Sequence, residues 1–262
     1  MAQSLFSSDG LVALARYVAP DTLFAFDLDG TLAPIVDDYA AAKVEEPMRT
    51  TLDRLINLAK VAVITGRSRK DALGILGLEP HLLIGNHGAE WPSGDTSRDW
   101  GHVRCSLKWQ EQLHDKLFSV QGIEIEFKGE SISLHYRKAD DPEQAAAQLT
   151  AEISKLDPKP RIIGGKFVIN LLPVEAFTKG EALVAAMYSF NVKRAIYVGD
   201  DVTDEEIFQL KGIDLFGIHI GNGTQTAAQY YVSKQSELLG VLNSMVGILE
   251  LHQEDFHFRD IS

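Results

Sequence analysis

Four short stretches of this 262-residue chain hold groups able to do chemistry, and each stands beside an apolar run or a helix start. Asp27-Leu28-Asp29-Gly30-Thr31 sets two carboxylates directly after Leu23-Phe24-Ala25-Phe26. Ligands of open parallel sheets bind at the carboxyl ends of the strands, so both acids would face that crevice. A capping loop would carry the same letters, and taken alone the pair leaves both readings open. Ile64-Thr65-Gly66-Arg67 ends a second apolar run. There a hydroxyl and a backbone amide near a helix start can hold phosphate oxygens, although an ordinary strand-to-helix turn is written the same way. Lys179 falls in the first turn of a helix capped by Thr178, where a cation opposes the helix dipole. A bound anion explains that position better than a solvated surface does. The last stretch, Gly199-Asp200-Asp201-Val202-Thr203-Asp204-Glu205-Glu206, puts five acids in seven positions. A helix start accounts in part for Glu205 and Glu206.

The elements that must position these groups follow from periodicity. Leu23–Phe26, Val61–Ile64 and Leu82–Ile84 read as buried strands, separated by helical patterns that begin at Pro47 and at Ser68. The pattern then changes. Ile123, Ile125 and Phe127 alternate with Glu124, Glu126 and Lys128, and after Gly129-Glu130 the residues Ile132, Leu134 and Tyr136 alternate with Ser131, Ser133, His135 and Arg137. That is an antiparallel hairpin with one apolar and one polar face. A helix from Asp141-Pro142 and a second hairpin turning at Gly164-Gly165, between Arg161–Ile163 and Lys166–Leu172, complete an α+β module with an earlier helix near Leu107–Phe118. From Thr178 the α/β pattern resumes, with strands at Ala195–Val198 and Leu215–Ile218. The expected organisation is an α/β core, residues 1–100 with 174–262, interrupted by an α+β insert at 101–173. Trp91, Trp100 and Trp109 are expected to pack, and the tail after Leu251 to be poorly ordered.

Composition narrows the function classes. Hydrophobic residues at 45% and charged residues at 24% are ordinary for a globular chain. The net charge, 25 − 37 = −12, disfavours a nucleic-acid surface. One cysteine, Cys105, excludes an internal disulfide and favours a reducing compartment. The longest uncharged run, Leu215–Ser233, is too polar to span a membrane, and MAQSLFSSDG lacks the pattern of a signal peptide. A cytoplasmic, soluble protein is expected, with a monomer among the states left open.

The motifs taken together resemble those of the haloacid dehalogenase superfamily, and within it the trehalose-6-phosphate phosphatase family. The resemblance covers nearly the whole chain: Asp27–Ile35, Asn86-His87-Gly88-Ala89-Glu90, Glu126-Phe127-Lys128-Gly129, Leu134-His135-Tyr136-Arg137, Thr178–Leu183 and the Asp200 segment. It implies a Rossmann-like parallel-sheet hydrolase core with an inserted α+β cap domain of the C2 type. Asp27 would be the phosphoryl-accepting nucleophile and Asp29 the general acid/base. Thr65, Gly66, Arg67 and Lys179 would hold the phosphate. Asp27, the Asp29 carbonyl and Asp200, with Asp204 in either shell, would bind Mg²⁺, since an all-oxygen set suits that ion.

The cap would read the sugar of a small sugar phosphate, trehalose 6-phosphate by resemblance, through Glu126, Lys128, His135, Arg137 and Asn170. His87 and Glu90 would line the crevice or the hinge. One block departs: Asn170-Leu171-Leu172-Pro173 carries Asn where the family usually has Glu, which leaves another glycosyl phosphate, of the sucrose phosphate or mannosylglycerate phosphate type, as an alternative. A phosphomutase and a non-catalytic regulatory module are weaker alternatives.

Overall fold

The computed structural model describes residues 1–36, 41–92, 96–117, 120–165 and 167–259, with backbone alone for 96–99 and 255–259. In chain order the first half of the core holds β1 (Gln3–Ser4), α1 (Ser8–Tyr17), β2 (Thr22–Phe26), α2 (Glu46–Leu58), β3 (Lys60–Ile64), α3 (Arg69–Leu76) and β4 (Leu82–Ile84). Then come α4 (Thr96–Leu117), β5 (Glu124–Phe127), β6 (Ile132–His135), α5 (Pro142–Ile153), β7 (Arg161–Gly165) and β8 (Val168–Leu172). The core resumes with α6 (Lys179–Ser189), β9 (Arg194–Gly199), α7 (Glu205–Phe208), β10 (Asp214–Ile220), β11 (Tyr230–Val232) and α8 (Leu238–Arg259).

The chain divides into two compact units, Met1–Gly88 with Thr178–Ser262, and Ala89–Phe177. The second is wider than the 101–173 read from periodicity. Ala89 and Ala176 join Leu172 in a small apolar cluster, and the Arg161 guanidinium donates to the carbonyls of Ala176 and Phe177 at 2.9 and 3.0 Å. Both connecting segments are thereby tied to the insert, by contacts that alternation along a strand does not reveal.

In the larger unit seven strands pair in the order β1-β11-β10-β9-β2-β3-β4, every pair parallel. All five residues of β2 are buried, as a sheet covered on both faces requires. The chain leaves β2 toward β3 and β4 on one side and returns through β9 on the other, so strand order reverses between β2 and β9. A crevice at the carboxyl ends of those two strands is the consequence. Phe24, Phe26, Val61, Val63, Ile196 and Val198 form one core with Leu52 and Leu55 of α2 and Leu242, Met245 and Leu249 of α8. Helix α8 is itself a correction, because the segment after Leu251 continues it to Arg259 instead of fraying. Local chemistry sets the helix starts: Ser68 Oγ accepts from the Asp71 amide at 3.2 Å, and Thr178 and Glu181 form a reciprocal capping box at the head of α6.

The smaller unit is a four-stranded antiparallel sheet, β5-β6-β8-β7. Trp109 and Leu113 of α4 and Leu149 and Ile153 of α5 cover Ile132, Leu134, Ile169 and Leu171. The second hairpin turns two residues later than its glycines suggested. Gly165 still pairs with Val168, and Phe167, at φ 62°, takes the left-handed angle of the turn. Two further departures concern apolar side chains: Trp100 is 64% exposed, and Phe127 is 37% exposed at the end of β5. Lys166 and Phe118, expected at element ends, lie outside the described residues.

Candidate active site

Pairing of β2 with β9 sets Phe26 opposite Val198, so Asp27 and Asp200 leave neighbouring strand ends. Gly30, at φ 79°, lets them converge: a Cβ there would lie 2.0 Å from Asp200 Oδ2. Between the acids runs Lys179 from the first turn of α6. It is 3% exposed, and its Nζ donates to Asp27 Oδ1 and to Asp204 Oδ1, both at 2.8 Å. A solvated surface lysine is therefore excluded. Burial alone would lower the Lys179 ammonium, but Asp204 and Asp27 outweigh it and hold it above the ordinary lysine value.

Asp204 is saturated. Its Oδ1 also accepts from the Tyr197 hydroxyl at 2.6 Å, and its Oδ2 accepts from the amides of Asp200 and Asp201 at 3.0 Å each. Its two oxygens thus meet four donors, which fix Lys179 and the Asp200 loop around it. Tyr197 escaped the sequence reading, although a tyrosine in an otherwise aliphatic buried strand signals a hydroxyl in need of a partner.

One oxygen atom from each of Asp27, Asp200 and Asp204 lies within 4.8 Å of the others. The charges sum to −3 + 1 = −2 with Lys179 counted. Burial, against the opposing pull of Lys179, raises the Asp27 carboxyl well above its usual range, with Asp204 and Asp200 adding to the rise. Burial and Asp204 push Asp200 up to about 7. Such uncompensated acids fit a divalent cation, which Asp27 and Asp200 could hold.

The Asp29 carboxylate turns elsewhere. Arg67 grips it with two bonds, Nε to Oδ2 at 2.8 Å and Nη2 to Oδ1 at 2.6 Å. Arg67, expected on the phosphate, is thus committed to the second aspartate, and the acid cluster holds no Asp29 carboxylate. Thr65 is fully buried and accepts from the Arg67 amide at 3.1 Å, which leaves its hydroxyl proton to donate. Gly66 lies beneath the His87 ring.

The other expected residues belong to the smaller unit. Glu126 Oε2 is 2.8 Å from His135 Nε2 and 3.5 Å from Lys128 Nζ. Burial works to raise the Glu126 carboxyl, and these two partners outweigh it and keep it below its usual value. Arg137 lies over the Phe167 ring, 5.9 Å from its centroid. Glu90 is partly buried. Asn170, expected at the sugar, is 8% exposed and turned into the sheet: Oδ1 accepts from Ser133 Oγ at 2.6 Å and Nδ2 donates to the Ile163 carbonyl at 3.3 Å. Its side chain ties β6, β8 and β7 together.

A strand-end aspartate neutralised by a buried lysine, with an insert between two halves of a parallel sheet, defines the class as a phosphohydrolase of the haloacid dehalogenase type. The sequence profile of the trehalose-phosphatase family matches residues 25–237, and the chain belongs to that family of phosphoric monoester hydrolases. It is 28% identical to the trehalose-phosphate phosphatase of Mycobacterium marinum, over 92% of this chain and 67% of that protein. It is 26% identical to the probable trehalose-phosphate phosphatase H of Arabidopsis thaliana, over 84% and 70%. Among solved structures, a trehalose-6-phosphate phosphatase related protein superposes with TM-score 0.71 at 23% identity, covering 87% of this chain and all of the other. The C-terminal domain of a Candida albicans trehalose synthase regulatory protein superposes with TM-score 0.64 at 15% identity, over 92% and 99%. At those identities the structures report the fold alone. No helix among the described residues is long and apolar enough to cross a membrane.

Proposed function

We propose that the chain hydrolyses trehalose 6-phosphate to trehalose and phosphate through an aspartyl-phosphate at Asp27, with Mg²⁺ as its metal. The observation that carries this reading is the buried Asp27–Lys179 pair at the sheet's switch point, 2.8 Å apart. A carboxylate must approach a phosphate dianion, and a fixed ammonium offsets the like charge where the new bond forms. Asp27 attacks phosphorus while the bond to the sugar oxygen breaks, and Asp29, once it has turned from Arg67 and carries a proton, gives that oxygen its proton. Asp29 then takes a proton from water as the water attacks phosphorus, the bond to Asp27 breaks and the carboxylate is restored. Thr65, Gly66 and Lys179 donate to the equatorial phosphoryl oxygens. Mg²⁺ held by Asp27 and Asp200, with the Asp29 carbonyl, would supply further positive charge at the phosphoryl group.

Sugar recognition falls to the polar face of the smaller unit, where Glu126, Lys128, His135 and Arg137 offer acceptors and donors suited to hydroxyls. We assign His87 and Glu90 to the neighbourhood of the substrate. The partner is a small sugar phosphate; a net charge of −12 disfavours a nucleic-acid surface. We expect a cytoplasmic protein, with a monomer among the states open to it. A second reading, hydrolysis of another glycosyl phosphate, is favoured by one observation: Asn170 stands in the sheet where the family usually has Glu. A silent regulatory module shares the fold but has no physical reason to keep Asp27, Asp29, Lys179 and Asp200 together. Phosphate release from trehalose 6-phosphate, sucrose 6-phosphate, mannosylglycerate phosphate and glucose 6-phosphate, with Mg²⁺ and with EDTA, decides among them. The proposal expects Mg²⁺-dependent turnover highest on trehalose 6-phosphate. Preference for another ester would move the substrate, and no release from any would overturn the assignment.

A further inference from the structure

Asn86 and His87 both take left-handed backbone angles, φ 49° and 56°, before Gly88 at φ 111°. Non-glycine residues persist in that region only where their surroundings over-determine them, and such strain gathers at functional sites. Here the surroundings are the loop after β3. The His87 amide donates to the Thr65 carbonyl at 2.9 Å and the Asn86 amide to the Arg67 carbonyl at 2.8 Å, so two bonds fasten the turn to Thr65-Gly66-Arg67. The His87 ring is then brought down on Gly66. A Cβ at Gly66 would lie 2.5 Å from His87 Cε1 and 2.7 Å from Nε2. Gly66 itself is outside the left-handed region, so what an added Cβ would meet there is the ring and not a strained backbone angle. The Gly66 N–H has no protein acceptor among the described residues.

We infer that His87 is a positioning residue, whose ring clamps the Gly66 peptide so that its amide keeps one orientation toward the phosphoryl oxygens. This rests on the reading of Gly66 as a phosphate donor. A small displacement of such a donor is felt in the rate, because it acts only where charge develops in the transition state. His87 acts through Gly66, whatever alcohol leaves. A histidine that contacted the sugar would matter for sugar esters alone.

The test is a double-mutant cycle of His87→Gly and Gly66→Ala, read by orthovanadate inhibition, by kcat on trehalose 6-phosphate and on p-nitrophenyl phosphate, and by Tm. His87→Gly removes the ring and also the left-handed cost, so Tm should hold or rise, whereas a merely structural histidine would lower it. Orthovanadate affinity and kcat on both esters should fall by a similar factor, about 10- to 100-fold. Gly66→Ala should lose at least as much in the wild-type background and little further in the His87→Gly background, where the added methyl meets no ring. Factors that multiply would overturn the clamp, as would a loss confined to the sugar ester. If orthovanadate affinity falls in Gly66→Ala but not in His87→Gly, the phosphate role of Gly66 stands and the positioning role falls. If the two substitutions couple in kcat while orthovanadate affinity stays constant, the phosphate role of Gly66 is what fails, and the inference falls with it.

Discussion

Lys179→Met keeps an unbranched side chain of similar length and removes the ammonium from a site 3% exposed. What remains is Asp27, Asp200 and Asp204, so full ionisation would take the cluster from −2 to −3. Removing one member of a buried ion pair costs about 3–5 kcal/mol when the partner stays charged. These partners have an alternative, because burial already raises Asp27 and Asp200, and a proton can stand in for the lost cation. Lys179 lowers both carboxyls, so its loss raises them further. A carboxyl raised in the folded state contributes stability that is kept at low pH and lost as pH rises through its folded value. The variant's deficit in metal-free urea unfolding should therefore be small, about 1 kcal/mol near pH 5, and should grow to about 3–5 kcal/mol near pH 8. Lys179→Met with Asp204→Asn should recover part of the loss at the higher pH, since it restores the charge count. Activity should fall by at least about 100-fold at every pH. A deficit of the same size at both pH values, or no recovery in the double variant, would refute the charge argument and leave only a packing effect.

Arg67→Ala removes the two bonds that orient Asp29, so it should weaken hydrolysis of a sugar phosphate, whose alcohol needs a proton from a well-placed Asp29, more than hydrolysis of p-nitrophenyl phosphate. Equal losses with a raised KM would return Arg67 to the phosphate. In metal-free protein the ionisation of Asp200, pushed up to about 7, should destabilise the fold as pH rises through that value, so Mg²⁺ should raise Tm more near pH 8 than near pH 6; an equal rise at both would remove Asp200 from the metal. Trp109→Ala, at a fully buried side chain whose Nε1 donates to the Pro158 carbonyl at 2.6 Å, should cost about 3–5 kcal/mol in urea unfolding. Glu126→Ala and Lys128→Ala should each lower kcat/KM on trehalose 6-phosphate by about 1–3 kcal/mol and leave p-nitrophenyl phosphate nearly unaffected; equal effects on both esters would place those residues outside sugar recognition.

The strands that carry chemistry were legible because each is a short, fully buried run with a distinctive residue at its carboxyl end. Phe26 before Asp27, Ile64 before Thr65 and Gly199 before Asp200 need only periodicity and punctuation to be found. Helix α8 went unread although Leu238, Val241, Leu242, Met245 and Val246 are buried at helical spacing, because its outer face carries Gly240, Asn243, Ser244, Gly247 and the exposed Leu251 where charged residues would have marked it. Strand β1 is two residues long, too short for any alternation. In the site, residue types predicted which groups gather but not how they divide. That Arg67 grips Asp29 and that Asn170 turns to Ser133 are matters of side-chain direction between segments far apart in sequence, and the four donors to Asp204 depend on the path of its own loop, which brings two backbone amides, as well as on Tyr197 and Lys179. The Gly164-Gly165 pair misled for a related reason. Glycine permits a turn but does not compel one, and here Phe167 adopts the positive φ.

The central claim is that Asp27 becomes phosphorylated, and trapping the phosphoenzyme tests it most directly. Asp29→Asn, given p-nitrophenyl phosphate, whose leaving group needs no proton, with Mg²⁺ and quenched in acid, should accumulate protein heavier by one phosphoryl group, because the second step has lost its base while the first no longer depends on the acid. Fragmentation should assign that mass to Asp27. p-Nitrophenol released in the burst should match the labelled protein mole for mole. Phosphate release in the wild type with no label at Asp27 in the variant, or a label on any other residue, would contradict the account.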